Sequence, residues 1–126
     1  MESSTASIEQ FQEELRSWKR ELSSTKEEIK SFEKELAGLA THSHNRDIFP
    51  HIEHFQNNFI RQKEVIDELR HDLPDSPRRM ESIFNSANNG TSYDVHAQLC
   101  DRMDTFRRLY EELREKFQRF ETDHLI

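Results

Sequence analysis

The 126-residue sequence predicts an all-α fold, an antiparallel up-down-up bundle of three long helices. Apolar residues recur at alternating steps of three and four along three separate stretches, the spacing of amphipathic helices. The chain has only 2 Gly and 3 Pro, too few for the turns of a many-stranded β fold. The connections between the three stretches are short, and short connections favour antiparallel neighbours. We therefore expect one domain that spans the whole chain.

The first predicted helix covers about residues 5–40. Its apolar seam consists of Ile8, Phe11, Leu15, Trp18, Leu22, Thr25, Ile29, Phe32, Leu36 and Leu39. Charged and amide side chains occupy the opposite face, as expected for a helix with one solvated side. The pattern fades after residue 40, where a turn is predicted.

The second predicted helix covers about residues 47–73 and continues over residues 77–87. Its seam consists of Ile48, Ile52, Phe55, Phe59, Gln62, Ile66, Leu69 and Leu73. Asp47 is the predicted N-cap, because its carboxylate can accept a bond from the first free amides. Pro50 then falls in the first turn, where a missing N–H costs little.

The prolines between Leu73 and Pro77 interrupt the second helix. One interpretation is a continuous helix kinked at Pro74. The other is a break, with Ser76 capping a new short helix that begins at Pro77. A break or a sharp kink is favoured, and the apolar residues beyond it keep the same heptad phase.

The third predicted helix covers about residues 92–124 and follows a loop predicted at residues 85–92. The loop contains consecutive Asn residues and Gly90, which tolerate positive φ angles. The seam of the third helix consists of His96, Leu99, Met103, Phe106, Tyr110, Leu113, Phe117, Phe120 and His124.

Folding the chain back at its two connections predicts a register between the helices. Trp18 is expected in one layer with Tyr110. Thr25 and Gln62, the polar members of the first two seams, are expected together beside Phe117. A buried Thr–Gln hydrogen bond would then fix the register at some cost in stability.

Two features of the sequence resemble known proteins. The predicted architecture, with Trp18 midway along the first helix, resembles spectrin-type three-helix repeats. The run His54–Asp72, HFQNNFIRQKEVIDELRHD, resembles small uncharacterised bacterial helical proteins. Both resemblances imply a helical fold, and neither carries catalytic residues to this chain.

Composition excludes several classes of function. The formal net charge of −7 disfavours nucleic acid and anionic membranes as partners. The arginines near the C-terminus alternate with acidic residues, which indicates a salt-bridged solvated face. No apolar run reaches the length of a membrane span, and no signal peptide is evident. The single cysteine, Cys100, excludes an intramolecular disulfide and fits a reducing compartment, so a cytoplasmic location is expected.

Histidine is the chemically suggestive excess. His51 and His54 lie three residues apart on the second helix, and the predicted fold brings His124 to the same end, with Glu121 nearby. Imidazole and carboxylate ligands suit transition metals, so a metal site is possible there. The chain has no glycine-rich phosphate loop and therefore no expected organic cofactor.

Catalysis is not expected from this sequence. The one candidate nucleophile is Cys100, with His96 four residues earlier as its only possible base. No oxyanion hole or substrate pocket accompanies the pair, so catalytic residues are predicted to be absent.

Two groups of apolar residues do not fit the predicted core. Phe49 and Ile60 point outward on one stripe of the second helix. A second group lies beyond the end of the third helix, with only Leu125 and Ile126 to cover it, and consists of Leu36, Leu39, Ile48 and Ile52. Together they predict an interaction surface. The expected function is a non-enzymatic protein that binds itself, as a homodimer, or another protein; the alternative is metal binding by the histidines.

Overall fold

The computed structural model describes residues 2–88 and 95–124. In these ranges the chain forms four α-helices and one short 3₁₀ helix, and it contains no β-strand. The α-helices are α1 (Glu2–His42), α2 (Phe49–Asp72), α3 (Pro77–Asn88) and α4 (Val95–Asp123). The predicted all-α fold class is therefore confirmed. Within the same ranges, none of the helices is long and apolar enough to cross a lipid bilayer.

The core is built from the predicted seams. On α1 the buried side chains are Phe11, Leu15, Trp18, Leu22, Ile29, Phe32 and Leu36. On α4 they are Leu99, Met103, Phe106, Tyr110, Leu113, Phe117 and Phe120. Both sets follow the alternating steps of three and four, except that Thr25 of the α1 seam is only partly buried. Each helix therefore buries one narrow stripe and leaves its charged face in solvent.

A real break, and not a kink, separates α2 from α3. Leu73 has an extended backbone, with φ −70° and ψ 136°, so the helix cannot continue through it. The Ser76 hydroxyl accepts a bond of 3.2 Å from the Arg79 amide, which caps α3 as predicted. Leu73 and Pro74 are buried, and the Lys19 ammonium donates to the Pro74 carbonyl at 3.0 Å. The break is therefore held against α1.

The connection before α2 differs from the prediction. Residues Arg46–Ile48 form a 3₁₀ turn whose N-cap is Asn45, with its side chain accepting from the Asp47 amide at 3.0 Å. The predicted N-cap, Asp47, lies inside that turn, so this prediction was wrong. The 3₁₀ turn forms because the side chain of Asn45 offers an equivalent hydrogen-bond acceptor two residues before Asp47.

The loop predicted at residues 85–92 begins later than expected. Helix α3 continues through Asn88, so residues 85–88 are helical. Residues 89–94, including the predicted start of the last helix, lie outside the described ranges, and so do Leu125 and Ile126.

Contacts between helices establish their directions. The Lys26–Asp67 pair of 2.7 Å and the Glu33–Lys63 pair of 2.9 Å join α1 to α2 in opposite chain order. In contrast, α1 and α4 run in the same direction, because Glu21 binds Arg107 and the later Glu28 accepts from Tyr110 at 2.5 Å. Burial and then the Glu28 carboxylate raise the pKa of Tyr110, which keeps this phenol a donor.

The predicted register between α1 and α4 was wrong. Tyr110 meets Glu28 and not Trp18, a displacement of about 15 Å along α1 at the rise of an α-helix. Trp18 instead stacks on His96, with ring centroids 6.0 Å apart. Part of the displacement already exists before the break at Leu73, because Lys26 of α1 pairs with Asp67 of α2 and Glu33 pairs with Lys63, whereas the prediction placed Thr25 beside Gln62.

The predicted hydrogen bond between Thr25 and Gln62 does not form through the Gln62 Oε1 atom. Gln62 is buried, with 9% of its surface exposed, but its Oε1 atom has no hydrogen-bond partner among the described protein atoms. A buried amide oxygen without a partner is destabilising. Gln62 therefore lowers the stability of the α2 seam, and its Oε1 atom does not fix the register between the helices.

An aromatic cluster lies in the core where α1, α2 and α4 meet. Phe59 and Phe117 are fully buried and meet edge to face, with centroids 5.1 Å apart. Phe32 lies 5.1 Å from Phe117, and Phe55 lies 5.0 Å from Phe120. The cluster joins α1, α2 and α4 at one level, so it locks all three long helices together.

Replacing Phe59 by Ala is expected to lower the free energy of unfolding by about 3–5 kcal/mol, because it opens a cavity at the centre of that cluster. The matched control is Phe49→Ala on the same helix, where the ring is 45% exposed and the expected loss is below about 1 kcal/mol. Urea unfolding followed by circular dichroism measures both. Similar losses for the two variants would contradict the described burial.

Replacing Gln62 by Met is expected to stabilise the protein by about 1 kcal/mol, since it removes a buried acceptor without a partner while keeping the side-chain volume. The same urea experiment tests this. A clear loss of stability in Gln62→Met would mean that the amide makes a stabilising interaction.

Candidate functional site

The predicted apolar surface is only partly exposed. Phe49 and Ile60 are 45% and 48% exposed, in agreement with their position outside the seam. Leu36, Ile48 and Ile52 are buried, however, so they cannot offer an open surface. A fourth residue of that predicted group, Leu39, is partly buried against the core.

The reason for this difference is the register of α4. The helix reaches further along α1 than predicted, so Phe120 packs beside Phe55 and lies 6.0 Å from the His51 ring. The 3₁₀ turn also carries Ile48 into the core, where only 2% of it is exposed. The end of the bundle is thus covered within one chain.

Phe49 and Ile60 form a stripe on α2, which we call the α2 stripe. The two residues are separated by about three helical turns and therefore lie on one side of the helix. Glu53 and Gln56 lie between them and are exposed. Lys63, one turn beyond Ile60, pairs with Glu33 of α1. The α2 stripe therefore borders α1.

A shallow groove runs between α2 and α4. One depression of about 360 Å³ is lined by both apolar and charged side chains, among them Val65, Phe106 and Leu109. Gln62, whose Oε1 has no described protein partner, lines this depression and the neighbouring one. Leu109 is 43% exposed. The sequence reading did not single out Leu109, although its position off the α4 seam could have indicated it.

The predicted histidine ligands do not converge. The rings of His51 and His124 both lie near Phe120, with centroids 6.0 Å and 4.5 Å from it. The His124 Nδ1 donates to the Phe120 carbonyl at 2.8 Å, and the His54 Nε2 accepts from the Asn58 amide at 3.1 Å. In the described ranges, these three histidines belong to no group of three ligand atoms within metal-binding reach. The histidine metal site stays a prediction.

A cavity of about 600 Å³ lies near the connection between α1 and α2. Glu35 and Glu121 line it together with His42, His44 and His124. Burial raises the pKa of Glu121 to about 7, and a hydrogen bond with the Glu35 carboxyl adds to this effect. The two carboxyl groups can therefore share a proton below neutral pH.

The ligand-type side chains that do converge lie toward the other end of α4. Glu14 of α1 and His96 and Cys100 of α4 each offer one ligand atom, and these atoms lie within 4.8 Å of one another. Cys100 Sγ lies 3.6 Å from His96 Nε2, and the same nitrogen contacts Glu14 Oε1. All three residues are partly buried. We call this group the α1–α4 cluster.

Local structure explains how the cluster forms. His96 and Cys100 are four residues apart, so they occupy the same face of α4. The His96 ring makes a T-shaped contact with Phe11, with centroids 5.0 Å apart, and stacks on Trp18 at 6.0 Å. Glu14 was missed by sequence reasoning, because it is one of 25 acidic residues and only the register of α4 distinguishes it.

The cluster does not have the geometry of a nucleophilic relay. Such a relay needs the base to take a proton from the nucleophile with one ring nitrogen and to be oriented by the acid through the other. Here the single atom His96 Nε2 faces both the Cys100 sulfur and the Glu14 carboxylate. The arrangement brings three electron-pair donors toward one point.

Comparison with known proteins gives no relative for this chain: no family model, no curated protein and no solved structure matches it.

The Glu121 carboxyl predicts a pH dependence of stability. Its folded-state pKa of about 7 lies above the ordinary value of 4.5, so the folded protein binds this proton more tightly than the unfolded chain. The stabilising contribution is present at low pH and is lost as pH rises through about 7. Between pH values of about 5 and 8, wild type should lose stability relative to Glu121→Gln. Urea unfolding at a series of pH values measures this difference.

The matched control for this experiment is Glu115→Gln, another acidic residue of α4, which is exposed. Its stability profile should run parallel to that of wild type, because the histidines near the cavity are common to both. Parallel profiles for Glu121→Gln and wild type would contradict the shared proton.

Proposed function

We propose that this chain is a non-enzymatic helical protein that acts by association, with a second copy of itself as the first partner. The proposed architecture is an antiparallel up-down-up bundle in which α2 and α3 together form the second of three long helices. The opposite direction of α1 and α2 and the common direction of α1 and α4 support this architecture.

The observation that carries the proposal is the α2 stripe. Phe49 and Ile60 leave nearly half of their surfaces in water, while the other apolar residues of α2 are largely buried. Exposed large apolar side chains on one side of an otherwise charged helix are typical of contact sites. The proposed surface does not include the second predicted apolar group, because the chain itself covers those residues. They are Leu36, Leu39, Ile48 and Ile52.

A twofold arrangement would make the stripe complementary to itself. If two α2 helices cross antiparallel, Phe49 of each copy meets Ile60 of the other, and Glu53 and Gln56 lie near the symmetry axis. Each copy then buries the same pair of side chains. Mixed charges around the stripe, such as Lys63 and Glu64, suit a partner with the same mixture of charges.

The size of the stripe predicts weak association. Complete burial of a Phe or Ile side chain is worth about 1.5–3 kcal/mol, and about half of that remains to be gained here. Two such residues from each copy supply only a few kcal/mol before the entropy of association is subtracted. A dimer held by the stripe alone is therefore expected at high micromolar to millimolar concentration, as in a transient contact.

Charge and cysteine content support the remaining parts of the proposal. The surface carries acidic and basic side chains in alternation, with ion pairs such as Arg102–Asp72 at 2.9 Å, and this does not favour nucleic acid. Cys100 forms no disulfide with another described residue, which agrees with a reducing compartment such as the cytoplasm.

Sedimentation velocity over a wide concentration range tests the proposal. Wild type is expected to sediment faster as its concentration rises, whereas Phe49→Ser/Ile60→Ser should remain monomeric throughout. Leu109→Ser is the matched control, because it removes an equally exposed leucine from α4 and leaves the α2 stripe intact. Circular dichroism should show the same helix content in all three proteins.

Two outcomes would contradict this proposal. One is a wild type that stays monomeric at every concentration. The other is a double variant that associates as wild type does, which would place the contact elsewhere.

A further inference from the structure

We propose that the α1–α4 cluster is a zinc site, in which Glu14, His96 and Cys100 bind one Zn²⁺ ion. The inference is independent of the proposed association, since the α2 stripe lies on a different helix. It also differs from the metal site predicted at His51, His54 and His124, because it shares no residue with that site.

The distances within the cluster fit tetrahedral zinc. Zn–N and Zn–S bonds of about 2.05 and 2.3 Å at a tetrahedral angle place the two ligand atoms about 3.5 Å apart. The observed separation of His96 Nε2 and Cys100 Sγ is 3.6 Å. The Glu14 carboxylate already contacts the same nitrogen and needs only a small rotation to take its place beside the ion.

The chemistry of the cluster favours a cation over a hydrogen-bond network. The nitrogen His96 Nε2 carries at most one proton, so it cannot donate a well-directed hydrogen bond to both neighbours at once. A divalent ion at the point where the three groups converge interacts favourably with all of them. Thiolate, imidazole and carboxylate together are ligands that zinc accepts.

The charges and protons balance without a further reactant. On binding, the Cys100 thiol releases its proton and becomes a thiolate, and His96 Nε2 gives up any proton that it carries. The thiolate and the Glu14 carboxylate then neutralise the two charges of Zn²⁺. Three protein ligands leave one position of the tetrahedron for a water molecule.

The surroundings make the site both rigid and accessible. Phe11 and Trp18 hold the His96 ring, which limits the entropy lost when the ligands are ordered around an ion. The side chains of His96 and Glu14 keep 33% and 39% of their surface exposed, so an ion can enter from solvent. Because Glu14 belongs to α1 and the other ligands belong to α4, zinc would link the two helices.

Titration of untagged, chelator-treated full-length protein with zinc chloride, followed by calorimetry, tests the site. Wild type is expected to bind one ion per chain. Cys100→Ser and Glu14→Gln should each weaken binding by at least about tenfold, since each removes a ligand of the ion. His51→Ala/His54→Ala is the matched control and should bind zinc as wild type does.

Two spectroscopic readouts locate the ion. Cobalt(II), used as a probe in place of zinc, should give a thiolate-to-metal charge-transfer band that is absent in Cys100→Ser. The fluorescence of Trp18, the only tryptophan, should change on zinc binding in wild type because its ring stacks on His96. Circular dichroism without metal should confirm that both ligand variants remain folded.

The absence of stoichiometric zinc binding by wild type would overturn the inference. Binding that survives in Cys100→Ser but is lost in His51→Ala/His54→Ala would also overturn it, and would assign the metal to the histidines of α2 instead.

Discussion

The long helices of this protein are held together by a narrow seam of aliphatic and aromatic side chains, because hydrophobic residues make up only 33% of the chain. Each helix can bury one stripe and no more, so the aromatic rings supply much of the buried area. Phe59 and Phe117 are fully buried at the level where α1, α2 and α4 meet. Because so little apolar surface is available, a shift of one helix along another would expose much of the core. The packing of the seam therefore determines which polar residues of neighbouring helices meet.

The break between α2 and α3 is held against α1 by specific contacts. Leu73 leaves the helix, Ser76 begins the next one, and the Lys19 ammonium holds the intervening carbonyl of Pro74 against α1. The alignment is already shifted before the break, because Lys26 pairs with Asp67 and Glu33 with Lys63, and α4 then meets α1 with a displacement in the same direction. Two consequences matter for function. The apolar end near Ile48 becomes covered, and Glu14 becomes a neighbour of α4.

The sequence predicted correctly those features that depend only on residues close together along the chain. The spacing of apolar residues predicted the α1 and α4 seams, and the proline pattern predicted the capped start at Ser76, because both are local. It failed for the N-cap Asp47, where Asn45 offered a competing acceptor of the same kind. It also failed for Glu14, because a meeting between α1 and α4 depends on how many residues the connections consume, and periodicity within each helix does not contain that information.

The register of α4 against α1 is the central claim, and the contact between Tyr110 and Glu28 reports on it most directly. A double-mutant cycle with Tyr110→Phe and Glu28→Ala should give a coupling energy of about 1 kcal/mol, because the phenol donates to that carboxylate. The same cycle with Glu21→Ala, two turns earlier on α1, should give a value near zero. Coupling to Glu28 and not to Glu21 would establish the register, whereas the absence of coupling to Glu28 would contradict it and remove the basis of the α1–α4 cluster.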